Sequence, residues 1–246
     1  MIKREIDFEL EGKDYQGFLV YDETINYERP GILIAHAWRG QDDFAKQKAF
    51  EYAEKGYIAF AGDVYGKKIL AKNKQEAESL MLPLFLNRDE LQKRIKKNLE
   101  ILEEQEKISK HRTAAIGFCF GGLTVIELMR SGAKLAGIAS VHGVLGNSMG
   151  DQKAHRPSNA LKLYGEALFL HGHLDPLVSK EDIDLLQEEL DHAKVRWQFH
   201  TFGDAYHAFT VPEANDDNMG LHYNSRAANT SRKLIDDYLQ SIFQRN

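Results

Sequence analysis

The feature that most constrains this chain is an alternation of short apolar runs with stretches of helical periodicity. Gly31–Ala35, Tyr57–Ala61, Thr113–Phe118, Leu135–Val141, Ala167–Leu170 and Val195–Thr201 read as strands. Unbroken apolar runs of this length suit parallel strands that are buried on both faces. Between them, Ala45, Ala49, Tyr52 and Ala53 fall at helical spacing, with Gly56 as a stop. Asn87–Ser109 places Leu91, Ile95, Leu99 and Leu102 on one face, with charged residues opposite. Helices are also expected at Phe120–Ser131, at Glu181–His192 and from about Tyr223 to the end. Ile6–Leu10 and Tyr15–Tyr21 form an opening pair about a turn at Glu11–Asp14. Strands alternating with helices require right-handed crossovers, hence a mostly parallel central sheet flanked by helices on both faces. No repeat or linker interrupts the pattern, so one domain over 1–246 is expected.

Sheets of this kind bind ligands beyond the carboxyl ends of their strands. The residues there matter most. Gly117-Phe-Cys119-Phe-Gly121 joins a strand directly to a helix, in the form G-x-nucleophile-x-G. Such a turn forces the central residue into a strained conformation and leaves no room for side chains at the flanking glycines. The helix opening at Phe120 aims its N-terminal dipole at the sulfur, favouring thiolate. A buried cysteine in a glycine-rich turn is the plainer reading of the same five residues.

The next strand ends lead to His171-Gly-His-Leu-Asp175-Pro and then to Tyr206-His207-Ala-Phe209. Nucleophile, acid and base thus follow in the order of an α/β-hydrolase triad: Cys119, Asp175, His207. Turn chemistry at Asp175-Pro176 and a loop histidine at 207 are the alternatives to that reading. The loop His36-Ala-Trp-Arg-Gly40 follows an earlier strand and supplies a second oxyanion donor beside the N–H of Phe120. Trp38 is the favoured donor, with Ala37 next.

The single cysteine excludes an internal disulfide and a thiolate zinc site. It fits a reducing, cytoplasmic setting. His171-x-His173 lacks companion ligands for a metal. Thirty-seven acidic against 32 basic residues give a net charge of −5, with no basic stripe for nucleic acid. The apolar runs fall short of a membrane span, and no secretory signal is visible at Met1–Asp7.

The sequence resembles the dienelactone hydrolase family, a branch of the α/β-hydrolases with a Cys-His-Asp triad. The motifs already quoted carry the likeness, together with Asp63-Val-Tyr-Gly66, from about residue 15 to the last helix. The resemblance implies an α/β-hydrolase fold and attack by Cys119 on an ester-type carbonyl. It implies that His207 carries the proton, that Asp175 fixes His207, and that no cofactor is needed. Founding members hold a Glu in the first loop, where this chain has Ala37, and a substrate-gripping arginine where it has Thr210-Val-Pro212. The chlorinated-aromatic lactone is therefore not implied. Tyr65, His142 and Trp38 are expected to line the pocket. Arg39 and Arg88 could meet a substrate, but read more simply as solvated surface residues. The expected partner is a small-molecule ester, lactone or thioester, in a monomer or a homodimer. A non-catalytic binding protein on the same fold is the competing reading.

Overall fold

A computed structural model describes residues 1–146, 148–149, 152–153 and 162–244. The strands are β1 (Ile2–Leu10), β2 (Lys13–Tyr21), β3 (Arg29–Ala35), β4 (Ile58–Ala61), β5 (Ile108–Phe118), β6 (Gly137–Val141), β7 (Ser148–Met149), β8 (Gln152–Lys153), β9 (Glu166–Gly172), β10 (Arg196–Phe202), β11 (Asn215–Asp216) and β12 (Leu221–His222). The helices are α1 (Asp43–Glu54), α2 (Lys74–Leu86), α3 (Arg88–Glu103), α4 (Phe120–Arg130), α5 (Lys180–His192) and α6 (Ser225–Gln244).

Eight strands form one sheet in the order β1-β2-β4-β3-β5-β6-β9-β10. β1 and β2 pair antiparallel in full register from Ile2↔Tyr21 to Leu10↔Lys13. Their two-residue turn, Glu11 and Gly12, has positive φ at both positions (51° and 78°), the twist that a tight hairpin needs. β2 also meets β4 antiparallel, and every other pairing in this sheet is parallel, while the two-stranded β7-β8 and β11-β12 ribbons are antiparallel.

Each face of the sheet is covered by its own apolar layer. On one, Ile32, Ile34 and Ile116 pack with Ala49 and Tyr52 of α1 and with Ile235 and Leu239 of α6. On the other, Leu33, Phe60 and Ile138 meet Phe85 of α2, Leu91 and Ile95 of α3, Leu123 of α4 and Leu186 of α5. The central strands are buried on both faces, which is why they read as unbroken apolar runs.

One helical expectation is corrected. The helix expected over Asn87–Ser109 stops at Glu103, and Ile108 already belongs to β5. Lys107, with φ of 65°, turns the chain between them. α2 has no counterpart in the sequence reading. Ile183 of α5 is only half-buried, while Leu186 and Leu190 are buried. Among the described residues, no helix is long and apolar enough to cross a membrane.

Candidate active site

β5 ends at Phe118 and α4 begins at Phe120, so Cys119 alone makes the turn, at φ 57° and ψ −119°. That backbone costs a non-glycine residue of order 1–3 kcal/mol and must be held by its surroundings. Three main-chain bonds hold it. Cys119 N donates to Val141 O at 3.1 Å, and Cys119 O accepts from Gly122 N at 2.9 Å and from Val144 N at 3.3 Å. The flanking glycines are a steric requirement. A Cβ on Gly117 would stand 1.8 Å from Gly121 O, and one on Gly121 would stand 2.1 Å from Ala35 O.

His207 sits in the loop after β10, pinned by His207 N to Gly220 O at 3.1 Å and by His222 N to His207 O at 3.1 Å. The next residue, Ala208, has φ of 56°, which turns the chain sharply behind the imidazole. His207 Nδ1 lies 2.7 Å from Asp175 Oδ2, with both side chains buried. Asp175 follows β9, and its other oxygen accepts from Leu177 N at 2.9 Å, which locks the carboxylate. Burial opposes charging the His207 ring. The adjacent Cys119 sulfur, then the Asp175 carboxylate, outweigh it and push the pKa up to about 10. Nε2 has no nitrogen or oxygen partner. With Nδ1–H given to Asp175, the Nε2–H of the charged ring is left for the sulfur.

The first loop is braced at its carbonyls. His36 Nδ1 lies 2.7 Å from Ala37 O, while its Nε2 accepts from Val64 N at 3.2 Å. Burial holds His36 below its usual pKa, keeping the neutral ring that this donor–acceptor pair requires. Tyr65 OH donates to Trp38 O at 2.9 Å. Its ring packs on Phe120 at 6.1 Å and edge-on to His36 at 4.7 Å. Burial, and then the Cys119 charge, raise the Tyr65 pKa, so its hydroxyl remains a donor. With both carbonyls turned into these bonds, the N–H groups of Trp38 and Phe120 have no protein acceptor among the described residues.

His142 is buried, has φ of 38°, and lies edge-on to His207 with ring centroids 5.3 Å apart. Its Nε2 is 2.8 Å from Thr210 Oγ1. Burial and the neighbouring His207 charge hold its pKa well below the usual value. His171 is likewise buried, and burial lowers its pKa. Among the described residues, no three His, Cys, Asp or Glu side chains gather to hold a metal ion.

The two arginines part company. Arg39 is exposed, reaching Ala71 O at 3.4 Å. Arg88, expected at the surface or against a substrate, is fully buried, and this is a correction. Its Nη2 donates to Gly146 O at 3.2 Å, its Nε lies 4.0 Å from Glu127, and its guanidinium covers the Phe85 ring at 4.3 Å. With no exposed atom, it has nothing to offer a substrate. The braces His36 and Thr210 were missed as such. The sequence shows only that Thr210 follows His207 by three residues and that His36 opens the first loop.

The chain is similar to several known proteins. A family model described as the dienelactone hydrolase family matches residues 16–243. A solved structure described as m3DLH is 33% identical, with a TM-score of 0.91 and 98% of both chains covered. A dienelactone hydrolase-like promiscuous phosphotriesterase from metagenomic libraries is 29% identical, with a TM-score of 0.90 and the same coverage. The human carboxymethylenebutenolidase homolog is 27% identical over 131 residues, 53% of this chain and 49% of that protein. The match therefore spans about half the length of that relative. These two solved neighbours share the α/β-hydrolase architecture that the family resemblance implies, with the mostly parallel, helix-flanked sheet expected from the strand-to-helix alternation.

Proposed function

This chain belongs to the dienelactone hydrolase family, and from that membership we propose that it cleaves a small-molecule carboxylic ester, lactone or thioester through an acyl-Cys119 intermediate. Family membership and the solved neighbours support an ester or lactone hydrolase. One observation carries the finer reading: the left-handed elbow at Cys119 beside a His207–Asp175 pair of 2.7 Å, with the His207 pKa raised by the Cys119 charge.

In this mechanism the Cys119 Sγ lone pair forms a bond to the carbonyl carbon, and the C=O π pair moves onto oxygen. The N–H groups of Phe120 and Trp38 hold that oxyanion. Such a donor is often worth about 3–4 kcal/mol. Collapse breaks the bond to the leaving group, which takes the proton from His207 Nε2. Water then attacks the thioester while His207 accepts its proton. The second intermediate collapses with cleavage of the C–S bond, which frees the acid and leaves the Cys119 thiolate beside the protonated His207, the resting state of the pair. Asp175 keeps Nδ1 protonated and aimed throughout. Small molecules, not nucleic acid or membrane, are the proposed partners. A reducing compartment such as the cytoplasm is the proposed setting, because the one thiol must stay free.

The test pairs turnover with a covalent trap. Short-chain activated esters should be hydrolysed by the parent and left intact by Cys119→Ala. Rapid quench and mass spectrometry should find the acyl group on Cys119. Parental rates in Cys119→Ala, or an adduct on another residue, overturn the reading. The likeness to a phosphotriesterase makes activated phosphotriesters a second substrate class for the same assay.

A further inference from the structure

A small cleft of about 30 Å³, open to solvent, lies between α1 and α6, and none of Cys119, Asp175 or His207 lines it. Three cationic side chains face it, Lys48, Lys55 and Arg232, against the single carboxylate of Glu51. Lys48 is paired with Glu51 at 2.9 Å, and Lys55 reaches across to Asp236 at 2.5 Å. Arg232 has no carboxylate partner among the described residues. Its Nη1 donates to Asn229 Oδ1 at 3.0 Å, and the rest of the fork is open.

The wall also holds a polar group with nothing to bond. Ser231 is 1% exposed, and its Oγ has no hydrogen-bond partner among the described residues. A mid-helix serine ordinarily turns its hydroxyl to the carbonyl four residues back, so an orphaned Oγ lining a cleft is an unmet donor. A guanidinium and a buried hydroxyl lining one cleft suit an acceptor-only, negatively charged ligand.

Thr210 lines the same cleft, and its Oγ1 lies 2.8 Å from His142 Nε2. His142 in turn touches His207 edge-on at 5.3 Å. Lys48 is near enough that its charge helps to disfavour protonation of His142. An anion beside Lys48 would relieve that effect.

We propose that this cleft binds a small oxyanion of the carboxylate or phosphate class, with Arg232 supplying the charge-assisted bond and Ser231 the buried donor. Its occupancy is felt at His142 through Thr210. The same chemistry has two sources, free phosphate or a carboxylic acid such as a hydrolysis product. The arms of the test separate them.

Inorganic phosphate and acetate are titrated separately into the parent protein by calorimetry, with ionic strength fixed by sodium chloride. One equivalent of anion should bind saturably, and the tighter of the two names the source. Arg232→Gln, at an exposed position, should weaken binding about tenfold, the usual loss for a charge-assisted bond. Ser231→Ala should also weaken it while leaving the ligand-free Tm at or above the parental value, because it deletes an unpaired hydroxyl. The His142 imidazole signal in 1H–15N spectra, assigned by its loss in His142→Gln, should move with the same midpoint. Absence of saturable binding, or parental affinity in both variants, overturns the site. A His142 signal that stays still while binding saturates overturns the link. No arm reads hydrolysis, so the outcome is independent of the catalytic role of Cys119.

Discussion

At the scale of single residues, the site is governed by which groups share a proton. His207 is buried yet held toward its charged form, because the Cys119 sulfur and Asp175 outweigh desolvation. A raised pKa keeps the imidazolium present from acid pH through neutrality, and it is lost only as pH climbs through about 10. An NMR titration of the His207 ring should show that late midpoint in the parent. In Cys119→Ser the leading favourable charge is gone, so the midpoint should fall by several pH units toward or below the ordinary value near 6.5. An unchanged midpoint would mean that the sulfur contributes no charge. Tyr65 makes a separate prediction. Its hydroxyl fixes the Trp38 carbonyl, so Tyr65→Phe should cost about 1 kcal/mol in urea unfolding. It should also lower kcat about tenfold with little change in KM, since the donor is loosened and not removed.

Among elements, the legible ones had clean signals. The apolar runs of β3 and β5 and the glycine spacing of the elbow were readable because burial on both faces and crowding at a turn leave direct marks on residue choice. α2 left none. Met81, Leu84 and Phe85 are buried but bracket Pro83, and a proline inside a helix reads as a breaker. The end of α3 leaves no mark in the sequence, because charged residues continue through Glu106 and Lys107 with no glycine to stop it. The burial of Arg88 is equally hidden, because its partner Glu127 lies 39 positions away in sequence (127 − 88). The join between α2 and α3 rests on Asn87, which ends one helix and caps the other through Glu90 N at 3.2 Å. Asn87→Ala should therefore cost about 1 kcal/mol by urea denaturation, the ordinary loss of an N-cap. Hydrogen exchange should quicken at the start of α3. A neutral effect would show that helix packing alone defines this corner.

Across the whole molecule, three helices on one face are tied by a single buried carboxylate. Glu127 of α4 lies 4.0 Å from Arg88 of α3 and 2.8 Å from Arg130, and it accepts from Gln92 of α3 at 2.7 Å. Arg130 in turn holds Glu189 of α5 at 2.5 Å. Glu127→Ala would leave covered guanidinium charge poorly met, at a cost of about 3–5 kcal/mol. The urea midpoint should drop accordingly, while esterase activity of the still-folded fraction stays near parental. A loss under 1 kcal/mol would show that the remaining partners compensate. The sheet carries another consequence, one of timing. Cys119, Asp175 and His207 follow β5, β9 and β10 in that order, so synthesis from the N-terminus delivers the thiol first and the imidazole last. The ribosome must add 88 more residues (207 − 119) before the imidazole exists. At about 5–20 residues per second, that interval is roughly 4–18 s. Throughout it, the nascent chain carries a sulfur without its proton acceptor. Under the proposed mechanism the order of strands works as a safety catch: Cys119 gains its partner only when the last part of the sheet has been made.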